Sequence, residues 1–223
     1  MAEIIPALIP HSFEEIKKTL MGISAFSKAV QIDLVDGQFV PFTSWPYLET
    51  SEDIQMQFQK LSGVTLTSDI EIDAMVLNPE LHMETWIQNG VSRIIIHIES
   101  TSRLDDILGI DRRDVQLGLS LNNDSSLSLL LPHQVSQIDF IQVMGIAQIG
   151  AQGQAFDERV IERIKTLKVQ YRDLAISVDG SVNATTLPLL LEAGATRFVV
   201  GSAILQATDA RSAYESLIKL IPK

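Results

Sequence analysis

Three aspartates stand where short runs rich in valine and isoleucine come to an end. Asp33, Asp73 and Asp179 lie in or directly after such runs, and Gln31 precedes Asp33 by two positions. Because side chains alternate along a strand, Gln31 and Asp33 would point the same way. Parallel strands would bring the three carboxylates to one apolar cavity, where like charges repel and raise one another's pKa. A bound divalent cation or a shared proton would relieve this repulsion, and pairing with an arginine is the alternative.

Glycine-serine pairs follow two later runs of the same kind, and a third glycine-bearing segment precedes them. Glycine lets backbone N–H groups approach an anion closely, and a serine hydroxyl can add a further donor. We therefore predict a phosphate-binding site at these turns, with ordinary tight turns as the alternative. The predicted phosphate-binding residues are Gly180, Ser181, Gly201, Ser202, Gly150 and Gly153.

Eight strand-like runs alternate with eight segments of helical period. The runs are Ile4–Ile9, Ala29–Val35, Ile70–Val76, Arg93–Ile98, Val115–Leu121, Phe140–Ile146, Leu174–Val178 and Arg197–Val200. The helical segments lie near 12–22, 46–60, 79–89, 102–109, 124–134, 156–170, 184–193 and 208–220. Strict alternation predicts parallel strands, because each crossover between them needs a helix. Eight such units predict an α/β fold, the closed (β/α)8 TIM barrel, whose site lies at the carboxyl ends of its strands and whose last two loops commonly hold phosphate.

An open, doubly wound sheet is the alternative fold. It would need a glycine-rich turn after its first strand, but that run ends in Ile9-Pro10-His11-Ser12. No linker, low-complexity tract or shift in composition divides the chain. We therefore expect residues 1–223 to form a single barrel domain.

Composition excludes several classes of function. The 223 residues include 17 basic and 28 acidic ones, so the formal net charge is −11, a poor match for nucleic acid or an anionic membrane surface. The apolar runs are far shorter than the ~20 residues of a membrane span, and the first residues lack the basic start of a secretory signal. The absence of cysteine excludes disulfides and thiolate chemistry. We expect a cytoplasmic protein.

Short motifs along the chain match those of a known family. They are Pro6–Phe13, Asp33–Pro41, Met75–Glu80, His97–Glu99, Val143–Met144, Gly153–Phe156, Val178–Asn183, Ala193–Ala195 and Gly201–Ile204. Together they resemble the ribulose-phosphate 3-epimerase family over nearly the whole length. The resemblance implies a barrel of the ribulose-phosphate-binding type, an isomerase that epimerises a phosphorylated sugar, and a homo-oligomer.

The resemblance also implies roles for individual residues. Asp33 and Asp179 would be the catalytic pair, exchanging a proton with opposite faces of one carbon while a divalent metal holds the enediolate. The family's metal site includes two histidines, and the matching positions here are Gln31 and Asp73. Asp33, Asp73, Asp179 and Gln31 would therefore form an all-oxygen site, which predicts magnesium or manganese rather than zinc, or a site that stays empty with one aspartate protonated.

These departures from the family pattern leave three functions open. The first is an epimerase-like enzyme that acts on a phosphorylated ketose. The second is a related phosphosugar enzyme of the decarboxylase or aldolase type, and the third is a non-catalytic phosphosugar-binding protein with a vestigial site. Retention of Asp33 and Asp179 favours the first function, whereas loss of both histidines favours the third.

Overall fold

Eight parallel strands close into a barrel in the computed structural model, which describes residues 2–48, 53–64, 68–150 and 153–222. They are β1 (Glu3–Leu8), β2 (Ala29–Val35), β3 (Asp69–Met75), β4 (Arg93–His97), β5 (Gln116–Leu121), β6 (Phe140–Met144), β7 (Ala175–Asp179) and β8 (Arg197–Val200). Each strand pairs with its neighbours in sequence, and β8 closes the circle by pairing with β1. The predicted (β/α)8 barrel is confirmed, and the open sheet is excluded.

Helices connect the strands. They are α1 (Phe13–Ile23), α2 (Ile54–Ser62), α3 (Met83–Gln88), α4 (Leu104–Leu108), α5 (Pro132–Val135), α6 (Arg159–Gln170), α7 (Leu187–Ala193), α8 (Ser202–Leu205) and α9 (Ala210–Ile218). Single 3-10 turns at Pro79–Leu81, Ile98–Ser100 and Leu127–Leu129 precede α3, α4 and α5. Within the described part of the chain, no helix combines the length and the apolar character that crossing a bilayer would require.

The helix predicted near 46–60 begins later than expected. It starts at Ile54, because the Asp53 side chain caps it by accepting a hydrogen bond from the backbone N–H of Gln55 at 3.1 Å. Residues 49–52 of the predicted segment lie outside the described residues.

The helix predicted near 124–134 is split into two short pieces. A 3-10 turn covers Leu127–Leu129, and α5 begins separately at Pro132. Proline has no N–H to donate to a preceding carbonyl, so it is favoured in the first turn of a helix and breaks one that runs through it.

Apolar side chains pack on both sides of the barrel wall. Ile32 and Leu34 of β2 belong to the large core that the strands form with the helices, together with Phe58 of α2. A smaller cluster that includes Val35 and Met75 lies near the carboxyl ends of the strands. Side chains alternate along β2, so one set packs against the helices and the other set points to the inside of the barrel.

The amino-terminal end of the barrel has its own charged cluster. Glu71 of β3 is fully buried and accepts a hydrogen bond from Arg197, and a guanidinium nitrogen of Arg93 lies 3.8 Å from its carboxylate. The guanidinium of Arg197 also stacks over the ring of Phe140, 4.1 Å from its centroid. Arginine side chains therefore compensate the charge of Glu71 at this end of the barrel, whereas the three aspartates lie nearer the carboxyl ends of their strands.

Candidate active site

Asp33 and Asp179 line one cavity at the carboxyl ends of the strands. The cavity has a volume of about 320 Å³ and is bordered by the loops that follow β6, β7 and β8. Asp33 belongs to β2 and Asp179 ends β7, so the two carboxylates reach the cavity from strands that are not neighbours. Its apolar wall includes Ile9, Met75, Met144 and Ile146. Two acidic groups therefore meet in a pocket whose wall is partly apolar and partly polar.

The Gln31 side chain joins these two carboxylates from beneath. Its Nε2 donates one hydrogen bond to Asp33 Oδ1 at 2.8 Å and another to Asp179 Oδ2 at 2.9 Å. Gln31 is fully buried, and its Oε1 has no hydrogen-bond partner among the described residues. One amide group thus holds both carboxylates in place.

Asp73 lies below the cavity and has two donors of its own. The Nε2 atom of His97 lies 3.0 Å from its Oδ1, and Gln142 Nε2 donates to its Oδ2 at 3.0 Å. Ser177 in turn donates to Gln142 Oε1 at 3.2 Å. Burial by itself would lower the pKa of His97, but the nearby Asp73 carboxylate raises it above its ordinary value. Four strands thus contribute to one buried polar network.

Burial and repulsion by neighbouring carboxylates raise the pKa of both carboxyls that face the cavity. The pKa of Asp33 lies well above its ordinary value, because burial disfavours the charge and because Asp179 and Asp73 are close. The pKa of Asp179 rises to about 7, first through burial and then through repulsion by Asp73. The hydrogen bonds from Gln31 act in the opposite direction on both. Near neutral pH, one carboxyl can therefore hold a proton while the other is ionised.

The three aspartates form a group that could hold a metal ion. Asp33, Asp73 and Asp179 each offer a carboxylate oxygen, and these oxygens lie within 4.8 Å of one another. The buried Oε1 of Gln31 adds an acceptor that has no partner among the described residues. Carboxylate and amide oxygens suit hard cations, so the residues present fit a divalent ion of that kind.

The turn after β7 borders the same cavity. Gly180 has φ +98°, and a Cβ there would lie 2.7 Å from Cγ1 of Ile146, so this position requires glycine. The Ser181 hydroxyl donates to the backbone carbonyl of Gln154. The hydroxyl proton of Ser181, predicted to bind an anion, is therefore donated to the loop after β6, so an anion at this turn would have only backbone N–H groups as donors.

The two other predicted segments meet the turn after β7 at this cavity. Gly201 and Ser202, where α8 begins, line it from the end of β8. Gly150 and Gly153, both with positive φ, line it from the loop after β6. A Cβ on Gly150 would lie 2.8 Å from Cγ2 of Val40, so this loop packs closely against the segment after β2. All six predicted phosphate-binding residues border one cavity with Asp33 and Asp179, whereas Gln31 and Asp73 lie beneath it.

Sequence reasoning missed the partners of Asp73. The sequence pattern predicts no contact of Asp73 with either His97 or Gln142, which the structure places against its two carboxylate oxygens. The register pairs Asp73 with Ile95 of β4, two positions before His97, and pairs Gln142 with Ser177 across β6 and β7. The available signal was polar residues at alternate positions of buried strands, since a buried polar group needs a hydrogen-bond partner.

Comparison with known sequences now bears on these residues. A profile described as the ribulose-phosphate 3 epimerase family matches residues 3–205. The chain belongs to the ribulose-phosphate 3-epimerase family. The match includes the strands that carry Asp33, Asp73 and Asp179 and the turns after β7 and β8.

Individual proteins with similar sequences are also named ribulose-phosphate 3-epimerase. The ribulose-phosphate 3-epimerase of Bacillus subtilis is 26% identical over 227 residues, which cover 97% of this chain and 98% of that protein. The enzyme of that name from Chlamydia pneumoniae is 30% identical over 194 residues, which cover 82% of this chain and 78% of that protein. These relatives are isomerases that act on a carbohydrate phosphate.

Solved structures support the fold of this family member independently. The crystal structure of 3-hexulose-6-phosphate synthase superposes with a TM-score of 0.72, covering 99% of this chain and 100% of that one. The two sequences are 15% identical, so this likeness concerns the barrel fold alone.

Proposed function

We propose that the protein epimerises a phosphorylated ketose by moving a proton at the carbon next to the carbonyl. The observation that carries this proposal is the pair Asp33 and Asp179, which share a cavity with the glycine turns after β7 and β8. A proton beside a carbonyl is weakly acidic, and inversion requires one base on each face of the carbon. Two carboxyls from non-neighbouring strands meet that requirement.

The mechanism needs one carboxylate and one carboxylic acid at the same time. The ionised member of the pair removes the C3 proton, and the electrons of the C–H bond form the enediolate. The protonated member then returns a proton to the opposite face, which leaves the two residues with their states exchanged. The raised pKa values of Asp33 and Asp179 support this assignment, because they make mixed protonation accessible near pH 7.

We assign phosphate binding to the turns at Gly180-Ser181 and Gly201-Ser202, with Gly150 and Gly153 above them. Support comes from the shared cavity and from the position of these turns after the last two strands, where barrels commonly hold phosphate. Backbone N–H groups would hold the phosphate and so orient the sugar toward Asp33 and Asp179.

We propose magnesium or manganese, rather than zinc, as the metal of this site. Asp33, Asp73, Asp179 and the Oε1 of Gln31 would hold it, since all four offer oxygen and none offers the imidazole nitrogen that suits zinc. When bound, a divalent ion would stabilise negative charge on the substrate oxygens.

Solvent exchange at C3 tests the epimerase proposal. We expect the full chain to exchange the C3 proton of D-ribulose 5-phosphate with deuterated water and to form xylulose 5-phosphate. Asp33→Asn and Asp179→Asn should each slow the formation of xylulose 5-phosphate by about 10²–10⁴-fold while the fold stays intact, because inversion needs both bases and neither can replace the other. Asp106→Asn, at an exposed carboxylate on α4, is the control. Absence of exchange in the wild-type protein contradicts the proposal.

A non-catalytic phosphosugar-binding protein is the second candidate. This candidate is favoured by Gln31, because its amide N–H groups are hydrogen-bonded to one oxygen of Asp33 and one oxygen of Asp179, the two groups that would transfer the proton. Tight binding of ribulose 5-phosphate without C3 exchange would select this function. Carbon–carbon bond cleavage of a phosphosugar would select the decarboxylase or aldolase type instead.

We further propose that residues 1–223 form a single domain. We also propose that the protein is a homo-oligomer and that it is located in the cytoplasm. Exposed apolar side chains around the carboxyl ends of β2 and β3, among them Phe42 and Leu81 at 47% and 70% exposure, support association. A charged sugar phosphate does not cross a membrane unaided, which supports the location. Light scattering on the purified chain tests the oligomeric state.

A further inference from the structure

The NH2 group of Gln31 contacts Asp33 and Asp179 at the two oxygens through which these carboxylates would bind a shared cation. Its Nε2 is 2.8 Å from Asp33 Oδ1 and 2.9 Å from Asp179 Oδ2, and the side chain is fully buried. The other end of the same amide, Oε1, is buried without a hydrogen-bond partner among the described residues. The amide therefore donates both N–H groups to the two carboxylates, and its oxygen accepts no hydrogen bond among the described residues.

An amide presents donors on one side and an acceptor on the other, so it cannot offer both to the same place. A magnesium ion binds oxygen at about 2.0–2.1 Å and repels N–H hydrogens. A cation that binds these two carboxylate oxygens would meet the NH2 group of Gln31 as it stands. A half-turn of the amide removes this conflict and supplies Oε1 as a ligand.

We propose that Gln31 is a positioning residue whose amide orientation is coupled to metal binding. Without a cation, its NH2 group donates hydrogen bonds to both Asp33 and Asp179 and so fixes the positions of the two carboxylates. With a cation, the amide turns by about half a turn and presents Oε1 to the ion. This inference rests on the proposed function only in taking Asp33 and Asp179 as the reactive pair.

The coupling has a consequence for metal affinity. Each cation that binds must displace two hydrogen bonds to carboxyl oxygens, and a hydrogen bond to an ionised carboxylate is stronger than one between neutral groups. Metal affinity should therefore be weak in the wild-type protein and should rise when the competing N–H groups are removed. A ligand with no other role would show the opposite response, because its removal would only weaken binding.

The direct test is the side-chain resonance of Gln31 in the full chain labelled with ¹⁵N-glutamine. The resonance is identified by its loss in Gln31→Met. In chelator-treated protein we expect its NH2 hydrogens to exchange with solvent at least about tenfold more slowly than those of exposed glutamines, because they are buried and hydrogen-bonded. Added Mg²⁺ should shift the resonance in proportion to the bound metal, as measured by calorimetry on the same sample.

Two variants separate competition from ligation. Gln31→Glu keeps an oxygen ligand and removes both donors, so we expect Mg²⁺ and Mn²⁺ affinity to rise by about tenfold, with a lower melting temperature without metal. Gln31→Met removes donor and acceptor at similar volume, and its stabilisation by metal should exceed that of the wild type. Gln134→Met is the matched control, because the buried Gln134 of α5 also donates to a carboxylate, that of Asp105 at 3.0 Å, and lies away from the cavity. It should lower the melting temperature without increasing the stabilisation by metal.

Three results would overturn the inference: an unshifted Gln31 resonance at saturating Mg²⁺, rapid exchange of its hydrogens without metal, or metal affinities of Gln31→Glu and Gln31→Met no higher than the wild type. If the wild type binds no Mg²⁺ and both variants do, the inference stands, since the donors then exclude the ion. If none of the three proteins binds it, the inference falls. Loss of C3 exchange with these resonances and affinities as expected would contradict the proposed function alone.

Discussion

Asp33 and Asp179 have the surroundings that proton transfer near neutral pH requires. Burial and repulsion by neighbouring carboxylates raise the pKa of each, and the bridging amide of Gln31 limits that rise. Asp73 differs from them, because His97 and Gln142 both donate to it and it lies below the cavity floor. Residues of one chemical type thus have different surroundings, because two of the carboxyls face the cavity and the third is buried beneath it.

Replacement of Gly201 tests the phosphate site. Gly201→Asp should weaken binding of ribulose 5-phosphate by about 100-fold or more, because a carboxylate would face the anion. Isothermal calorimetry on the folded variant measures the effect. Gly22→Asp is the control, since it adds the same charge on α1, where a Cβ would have no atom within 4 Å. Equal affinity in Gly201→Asp and wild type would contradict the assignment.

Replacement of Asp73 tests the metal site. Asp73→Ala should lower Mn²⁺ affinity by about tenfold or more, because it removes one of the three carboxylates that lie within 4.8 Å of one another. Equilibrium dialysis with Mn²⁺ and Zn²⁺ measures it, and the wild type should retain little zinc. Stoichiometric zinc held tightly by these residues would contradict the oxygen-ligand argument.

At the scale of elements, the start of α6 is held by a charged network next to the loop after β6. The Asp157 backbone N–H donates to the Gly145 carbonyl at 2.8 Å, and Arg159 donates to the carboxylates of both Asp157 and Asp124. This network fixes the point at which the glycine-bearing loop returns to the barrel. The position of Gly150 and Gly153 over the cavity therefore depends on a contact that lies outside it.

A pH-dependent loss of stability should report on this network. The hydrogen bonds from Arg159 lower the pKa of Asp157 to about 2. A carboxyl whose pKa is lower in the folded state stabilises the fold above its unfolded pKa, and this contribution disappears as pH falls toward the folded value. Asp157→Asn should therefore be less stable than the wild type at pH 6, and the difference should shrink between pH 4 and pH 2.5. Urea unfolding at several pH values measures it, and a difference independent of pH would contradict the ion-pair argument.

At the scale of the whole molecule, the buried carboxylates at the two ends of the barrel have different partners. Arginines neutralise Glu71 at the amino-terminal end, whereas the aspartates at the carboxyl end have no arginine partner among the described contacts. Barrels commonly separate their ends in this way. Changes at one end should therefore leave the other end largely unaffected.

Removal of Arg197 tests this separation. Arg197→Met should lower the free energy of unfolding by about 3 kcal/mol, because it leaves the buried Glu71 with only the more distant Arg93. The affinity for ribulose 5-phosphate should stay within about twofold of the wild type, since Arg197 does not line the cavity. The double variant Arg197→Met with Glu71→Met should recover much of the stability. A large loss of affinity in a folded Arg197→Met protein would show that the two ends are coupled.

The sequence by itself determined the barrel and the place of its site. Alternating periods of two and 3.6 are local properties, so they indicated eight strands and eight helices, and the ends of those strands located Asp33, Asp179 and the glycine turns. Helix boundaries were less well predicted, because a cap such as Asp53 or a proline such as Pro132 decides them residue by residue.

Only the tertiary structure decided which partners these residues have. His97 meets Asp73 across 24 residues, Gln142 meets it across 69, and Gln31 reaches Asp179 across 148. Such pairs depend on strand register and barrel closure, which bring side chains together over distances in sequence that no local pattern records. The division of three similar aspartates into a pair that faces the cavity and one buried support is for this reason a property of the folded molecule.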